Sequence, residues 1–335
     1  MDPTQRRPFG KTSLTTTALG LGSAPLGGLF NPVSDETAHG VVQHAHDLGL
    51  RFFDTAPLYG YGSAESRMGH VLKQVPRDET VIATKVGRLL RPQAREGDAL
   101  DKEGAGQFLE APPLLPIFDF SYDAVMRSFE ESLVRMGLDR IDVLHIHDPD
   151  AHYEQALDGA YKALDKLRSE GLIRAVGSGM NQAEMLAKFA RAADFDCFLV
   201  AGRYTLLDQA ALPELLPICE EKNIAIIIGG VYNSGILANL DNMERATFNY
   251  QPAEQRWIEK ARQIKTVCDR HNVPLQAAAL QFPLAHPAVA VVLTGARSKD
   301  ELDQNVAFMQ HPIPADLWAE LKATGLLPAE APTPA

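Results

Sequence analysis

Brief β-rich runs recur along this chain, each followed by a longer segment of helical period, and the alternation is never broken. A strand that leads into a helix and then into another strand builds a parallel sheet. The candidate strands are Ala18 to Ser23, Arg51 to Thr55, Val81 to Lys85, Asp142 to His147, Arg174 to Ser178, Phe198 to Arg203, Ile224 to Ile228 and Val289 to Leu293. Between them lie segments such as SYDAVMRSFEESLVRMG, where Val125, Phe129, Leu133 and Met136 recur every three or four positions along one helical face. Gly49, Gly137 and Gly171 stand where such helices should end, as expected of a C′ residue with positive φ.

Eight βα units in one series point to an α/β fold of the closed (β/α)8 TIM-barrel kind, and 335 residues fit it. An open dinucleotide-binding sheet is the alternative. Gly20-Leu21-Gly22 opens in its favour, but the next glycine comes at Gly27, behind Pro25, so the GxGxxG spacing fails. With no repeat, linker or shift in composition, one domain over 1–335 is expected, and the Pro- and Ala-rich end at 327–335 should be flexible. Two stretches break the regular spacing, Arg88 to Phe120 and Val231 to Pro252. In a barrel, long loops after strands cover the C-terminal mouth, where the active site sits.

A net charge of -11 argues against a nucleic-acid partner, which needs clustered Lys and Arg to displace counterions. No segment approaches the roughly 18 apolar residues of a membrane span, and MDPTQRRPFG has no apolar stretch behind its arginines. A cytoplasmic protein without a membrane partner is the expectation. Cys197, Cys219 and Cys268 lack CxxC spacing and an even count, so they are expected to be buried thiols rather than disulfides or zinc ligands.

Chemistry concentrates at the ends of three neighbouring strands. The second strand ends in Asp54, with Tyr59 five residues later in a Gly- and Pro-bounded turn; the third ends in Lys85; the fourth carries His145 and His147, two apart and hence on one side. Any one of these fits a surface salt bridge, but consecutive barrel strands bring them to one rim. The grouping suits proton transfer at Tyr59. A phenol titrates near pH 10, and a nearby ammonium favours its phenolate. Lys85 supplies that charge, Asp54 offsets the cost of burying it, and His147 can orient a substrate oxygen.

These surroundings, FDTA then Tyr59, ATK85, and IH147 before a proline, resemble the aldo-keto reductase superfamily from Leu19 to about Asn305. The resemblance implies a barrel oxidoreductase in which Tyr59 exchanges a proton while a nicotinamide exchanges hydride with the same carbon. It also implies cofactor contacts, and here the chain departs from the pattern. The Ser-Asn pair after the fifth strand is replaced by Gly179 and Met180, with Ser178 or Asn181 as substitutes; the glutamine after the sixth aligns with Ala201, and the stacking aromatic after the seventh aligns near Gly229, with Tyr204 and Tyr232 close by. Further candidate cofactor contacts are Asn233, Ser234, Gly235 and Leu237 in YNSGIL, and Gly295, Arg297, Glu301, Gln304 and Asn305 after the eighth strand. Relatives that use NADP clasp its 2′-phosphate with a lysine and an arginine, which align with Gly295 and Glu301. A glutamate repels a phosphate and can accept ribose hydroxyls, so the cofactor expected is NAD, with NADP the alternative through Lys299. Arg297 and Ser298, just before a helix, suit an anionic end.

GSAPLGGLF, FDTAPLYGYGSAESRMG, HIHDPD, AGRYTLLDQ and YNSGIL are most similar to bacterial sugar 1-dehydrogenases acting on L-fucose or related D-threo-aldoses, and to pyridoxal 4-dehydrogenase. The resemblance implies oxidation of a cyclic hemiacetal to a lactone, with Tyr59 as base and a small sugar or aldehyde as partner; a general carbonyl reductase is a further alternative. Arg88, Arg91, Phe118, Asp119 and Phe120 are candidates for the substrate pocket. Rival readings fare worse. A His-x-His zinc hydrolase lacks its other ligands, since His39, His44, His46 and His70 fall in helices and His152, His271, His286 and His311 in loops or helices. A Schiff-base aldolase needs a neutral Lys85, which Asp54 opposes. A non-enzymatic β-subunit of the same fold could keep all four residues.

Overall fold

The computed structural model describes residues 1–238, 246–249 and 251–334. Eight parallel strands close into a barrel: β1 (Leu19–Gly22), β2 (Phe52–Asp54), β3 (Val81–Val86), β4 (Val143–His147), β5 (Ala175–Met180), β6 (Cys197–Ala201), β7 (Ala225–Gly229) and β8 (Val289–Gly295). The ring shuts where β8 pairs with β1, Val292 opposite Leu19 and Gly295 opposite Gly22. Every sequence-predicted strand is present, within two residues at each end. β5 and β8 run further than expected, through residues with little β propensity, because pairing of Met180 with Val200 and Gly295 with Gly22 carries the ladder on. β6 stops short of Arg203 because Gly202 turns away with φ 69°.

Among the described residues, ten α-helices of seven residues or more surround the ring: α1 (Asp35–Asp47), α2 (Ser63–Leu72), α3 (Tyr122–Met136), α4 (Lys162–Ser169), α5 (Ala183–Ala192), α6 (Leu215–Glu221), α7 (Gln255–Arg270), α8 (Leu275–Gln281), α9 (Lys299–Gln310) and α10 (Ala315–Ala323). Ser34 and Ser121 cap α1 and α3, each accepting a backbone N–H three residues on. Gly49, Gly137 and Gly171 all take positive φ, as their places at helix ends require.

Strand parity separates two cores. On β7, Ala225 and Ile227 point into the barrel while Ile226 and Ile228 meet the helices. The same alternation sends Phe52, Val81, Ala83 and Val143 inward and Phe53, Ile82, Leu144 and Ile146 outward. Asp54, Lys85, His145 and His147 share the parity of the inward set. The N-terminal hairpin, Arg6–Pro8 against Thr15–Thr17, stoppers the bottom: Phe9 is fully buried in the barrel core, and Gly10 approaches the starts of β6 and β7 so closely that a Cβ would lie 2.7 Å from Ala225 N.

Two expectations change. The stretch Arg88 to Phe120 is a three-stranded antiparallel sheet, Arg88–Arg91, Leu115–Phe118 and Ala99–Leu100, rather than a bare loop. Leu327 and Ala331, assigned to a flexible tail, are buried against the helical layer. Of the second expected lid, Val231 to Pro252, positions 239–245 and 250 lie outside the described residues. No helix among the described residues is long and apolar enough to cross a membrane.

Candidate active site

At the C-terminal ends of β2 and β3 the inward residues are Asp54 and Lys85, both almost wholly buried. Lys85 Nζ donates to Asp54 Oδ1 at 2.5 Å and to Thr55 O at 2.8 Å. Burial raises the Asp54 carboxyl above its ordinary range, against the pull of Lys85. Burial also works to lower the Lys85 ammonium, but Asp54 and then Tyr59 outweigh it, and its pKa lies above the ordinary value. Lys85 is therefore held charged, which removes the nucleophile that a Schiff-base aldolase needs.

Tyr59 reaches this charge from the turn after β2. Lys85 Nζ stands 4.6 Å from the centre of its ring. The turn is held by a close backbone approach: a Cβ on Gly27 would lie 2.7 Å from both Gly60 N and Tyr59 C, so only glycine fits beneath the tyrosine. The His147 ring stands edge-on to Tyr59, with centroids 5.9 Å apart. Burial, followed by the charges of Arg88 and Lys85, holds His147 well below the usual imidazole range, so it is neutral and keeps one donor and one acceptor nitrogen. His145, one layer below, is pushed down to about 3 by burial and by Lys85. It packs where Gly177 has no side chain and forms part of the barrel filling rather than the mouth.

A cavity of about 530 Å³ opens above these groups, lined on one side by Tyr59, Lys85 and His147 and on the other by Gly179, Met180, Asn181, Leu199 and Ala201. Its roof is the sheet that follows β3. Tyr61 Oη accepts from Gly106 N and donates to Gly104 O, and Phe108 packs edge-on to Tyr61. Arg88, 5% exposed, donates from Nε to Asp101 Oδ2 at 2.6 Å, from Nη1 to His147 O and from Nη2 to Asp148.

The side walls suit a flat ring. A Cβ on Gly179 would make only ordinary contact with Leu199, and Ala201 and Gly229 add almost no bulk, so β5 to β7 leave a smooth wall where a nicotinamide could lie. Asn181 borders that wall, its Nδ2 donating to Ala201 O at 3.2 Å. Ser178 does not: β5 parity turns it outward, its Oγ donates to Ile146 O, and it drops out as a substitute contact. Tyr204 is also excluded, being fully buried against Phe282 and His286.

The other predicted cofactor residues lie outside this cavity, at the ends of β7 and β8. Asn233, Ser234 and Gly235 form a turn with positive φ. Asn233 accepts from Thr205 Oγ1 and donates to Gly202 O, while the Leu237 side chain is wholly buried and offers no contact of its own. Tyr232 Oη donates to Asn305 Oδ1 at 2.8 Å, which ties this turn to α9, where Gln304 is exposed. Gly295 is exposed at the end of β8, and Pro25 occupies the space beside it: a Cβ there would lie 2.6 Å from Pro25 Cγ. Glu301 accepts from Arg297 N at 2.8 Å and faces the Arg297 guanidinium, while Ser298 caps α9 by accepting from Glu301 N.

Among the expected pocket residues, Arg88 and Phe118 line the cavity. Arg91 instead pairs with Glu131, Asp119 accepts from Ser121 N at the start of α3, and Phe120 is fully buried. Sequence reasoning missed Asp101, Phe108, Asp148 and His152, all of which line the mouth. Of these only Asp148 carried a signal, as the neighbour of His147. No group of three or more His, Cys, Asp or Glu that could hold a metal occurs among the described residues, and the three cysteines are buried and free.

The aldo/keto reductase family model matches residues 18–325. The chain is 42% identical to the D-threo-aldose 1-dehydrogenase of a Pseudomonas species, covering 94% of this chain and 96% of that one. It is 41% identical to the pyridoxal 4-dehydrogenase of Microbacterium luteolum, over 96% and 98% of the two chains. The holo form of an aldo-keto reductase from Bacillus halodurans superposes with a TM-score of 0.75 over 98% of each chain, at 24% identity, and so shares the fold. With the barrel and with Tyr59, Lys85, Asp54 and His147 gathered at its mouth, the chain belongs to the aldo/keto reductase family of oxidoreductases.

Proposed function

We propose that this protein oxidises the anomeric carbon of an aldose to a lactone, with Tyr59 as general base and NAD as hydride acceptor. The observation that carries the reading is the mouth itself: a tyrosine beside a buried ammonium, ringed by the polar side chains of Arg88, Asp101, Lys102, Glu103, Asp148 and Asp150. Such a lining favours a substrate with many hydroxyl groups over an apolar carbonyl. Similarity to a D-threo-aldose 1-dehydrogenase supports the same substrate class.

The anomeric hydroxyl would sit between Tyr59 Oη and the His147 ring, its O–H proton passing to Tyr59 as the carbon–oxygen double bond forms. The wall at Gly179 and Ala201 would hold a nicotinamide, which would supply the acceptor for the hydride released at the anomeric carbon. Lys85 favours the phenolate that Tyr59 needs as a base, and Asp54 keeps Lys85 charged. Neutral His147 donates to the substrate oxygen without competing for the proton.

NAD is favoured over NADP because neither expected phosphate clasp is present. Pro25 fills the space a side chain at Gly295 would need, Glu301 is an anion, and Lys299 runs over Gly40 of α1. Asn181, Asn233, Ser234, Gly235, Arg297 and Asn305 are proposed as the residues that meet the cofactor, within one barrel domain of a cytoplasmic enzyme. Spectrophotometric reduction of NAD across aldoses should show turnover, with kcat/KM for NADP at least tenfold lower. Equal efficiency with both would overturn the cofactor assignment. Tyr59→Phe should lower kcat by at least about 100-fold, and a loss below tenfold would overturn its role as base. The aromatic rings of Phe108 and Phe118 also line the cavity, which favours pyridoxal as a second reading, so it belongs in the same screen.

A further inference from the structure

Asp148 is the first residue beyond β4, directly after His147. Its φ of 44° lies in the left-handed region, and the turn brings its Oδ2 to 3.4 Å from His147 Nε2 at the edge of the cavity. That separation is too long for a good N–H···O bond, so Asp148 does not simply anchor the histidine. Arg88 fixes the carboxylate. Its Nη2 donates to Asp148 Oδ2 at 3.0 Å, its Nη1 to His147 O at 3.2 Å and its Nε to Asp101 Oδ2 at 2.6 Å, while its plane lies over Phe118. A guanidinium hydrogen-bonded to two separate segments and stacked on a ring of a third cannot swing away with its partner. It engages Oδ2, which leaves Oδ1 its full accepting capacity.

We propose that Asp148 determines substrate specificity by accepting a hydrogen bond from the hydroxyl on the carbon next to the reacting one, with Arg88 as the residue that positions it. The inference rests on the aldose reading above. An oxygen held jointly by Tyr59 and His147 places a hydroxyl of the adjacent carbon about one hydrogen-bond length away, within reach of an acceptor next to His147 Nε2. A carboxylate only accepts and a hydroxyl can donate, so the two are complementary, and the charge strengthens the bond. Burial raises the Asp148 carboxyl above its ordinary range, and Arg88 opposes that rise.

The test measures kcat and KM, with NAD, for the best aldose and for its 2-deoxy counterpart. The wild-type enzyme should prefer the hydroxylated sugar by about 100-fold in kcat/KM. Asp148→Ala should lose most of that preference, falling steeply on the hydroxylated sugar and by less than about fivefold on the deoxy sugar. Asp148→Asn keeps the volume and tolerates the left-handed backbone, so it guards against misfolding; it should lose about tenfold of the preference along with the charge. Arg88→Met should reduce the preference while circular dichroism stays unchanged. Equal losses on both sugars in the Asp148 variants would overturn the specificity role, and equal losses in Arg88→Met would overturn positioning. Wild-type turnover of aldoses without regard to the 2-hydroxyl would overturn this inference alone, whereas no turnover of any aldose would overturn the anomeric reading and this inference together.

Discussion

At the residue scale, burial sets the protonation states around Tyr59. His145 has no contact with the cavity, yet its titration should be visible in stability. Its folded pKa of about 3 lies below the ordinary value of 6.5, so between those two pH values the unfolded chain binds the proton that the folded one refuses. The stability is present above pH 6.5 and is lost as pH falls toward 3, by up to about 4 kcal/mol. His147 adds to the same acid limb, since its value is also lowered. Denaturant titrations at pH 7 and pH 4 should show a smaller drop for His145→Leu than for the wild type; equal drops would mean that His145 is not the group titrating. Asp54, Lys85 and His147 were legible because each is the wrong residue type for its place, a charge or polar ring closing an apolar strand, and Tyr59 because it stands in the Gly- and Pro-bounded turn just beyond Asp54. Asp101 and Phe108 carried no such mark, being ordinary residues in a polar stretch.

At the element scale, the strands were legible and the roof was not. A buried parallel strand announces itself as a short apolar run whatever lies around it. The sheet from Arg88 to Phe118 has no such period, since proline and charge interrupt it and its pairing depends on two segments meeting across many residues. What pins it is the buried Arg88–Asp101 pair. Asp101→Asn should leave Arg88 with only one charged partner, loosen the roof and raise the KM for substrate about tenfold while costing about 3 kcal/mol of stability. Michaelis kinetics and thermal melts on the same preparation check both, and an unchanged KM would show that the roof does not shape the pocket. Ser178 shows the opposite failure: it lies in β5 as expected, but the strand runs on to Met180 and its parity faces Ser178 outward.

At the scale of the whole molecule, the barrel depends on closure at both ends of its core. The N-terminal hairpin supplies the bottom, and Phe9 is its deepest residue. Phe9→Ala should cost about 3–5 kcal/mol by leaving a cavity among Phe52, Val81 and Leu14. Chemical denaturation measures it, and a cost below 1 kcal/mol would mean that the hairpin does not help close the core. The eight-unit alternation, the inward parity of Asp54, Lys85 and His147, and with them the family, followed from sequence alone, because strand and helix periods are local properties that survive any packing. Which side chains reach the mouth from the irregular segments was decided only in three dimensions. Arg88 meets Asp148 across 60 positions, and Pro25 fills the space beside Gly295; such contacts depend on how loops fold over a closed barrel, and loops have no period to read.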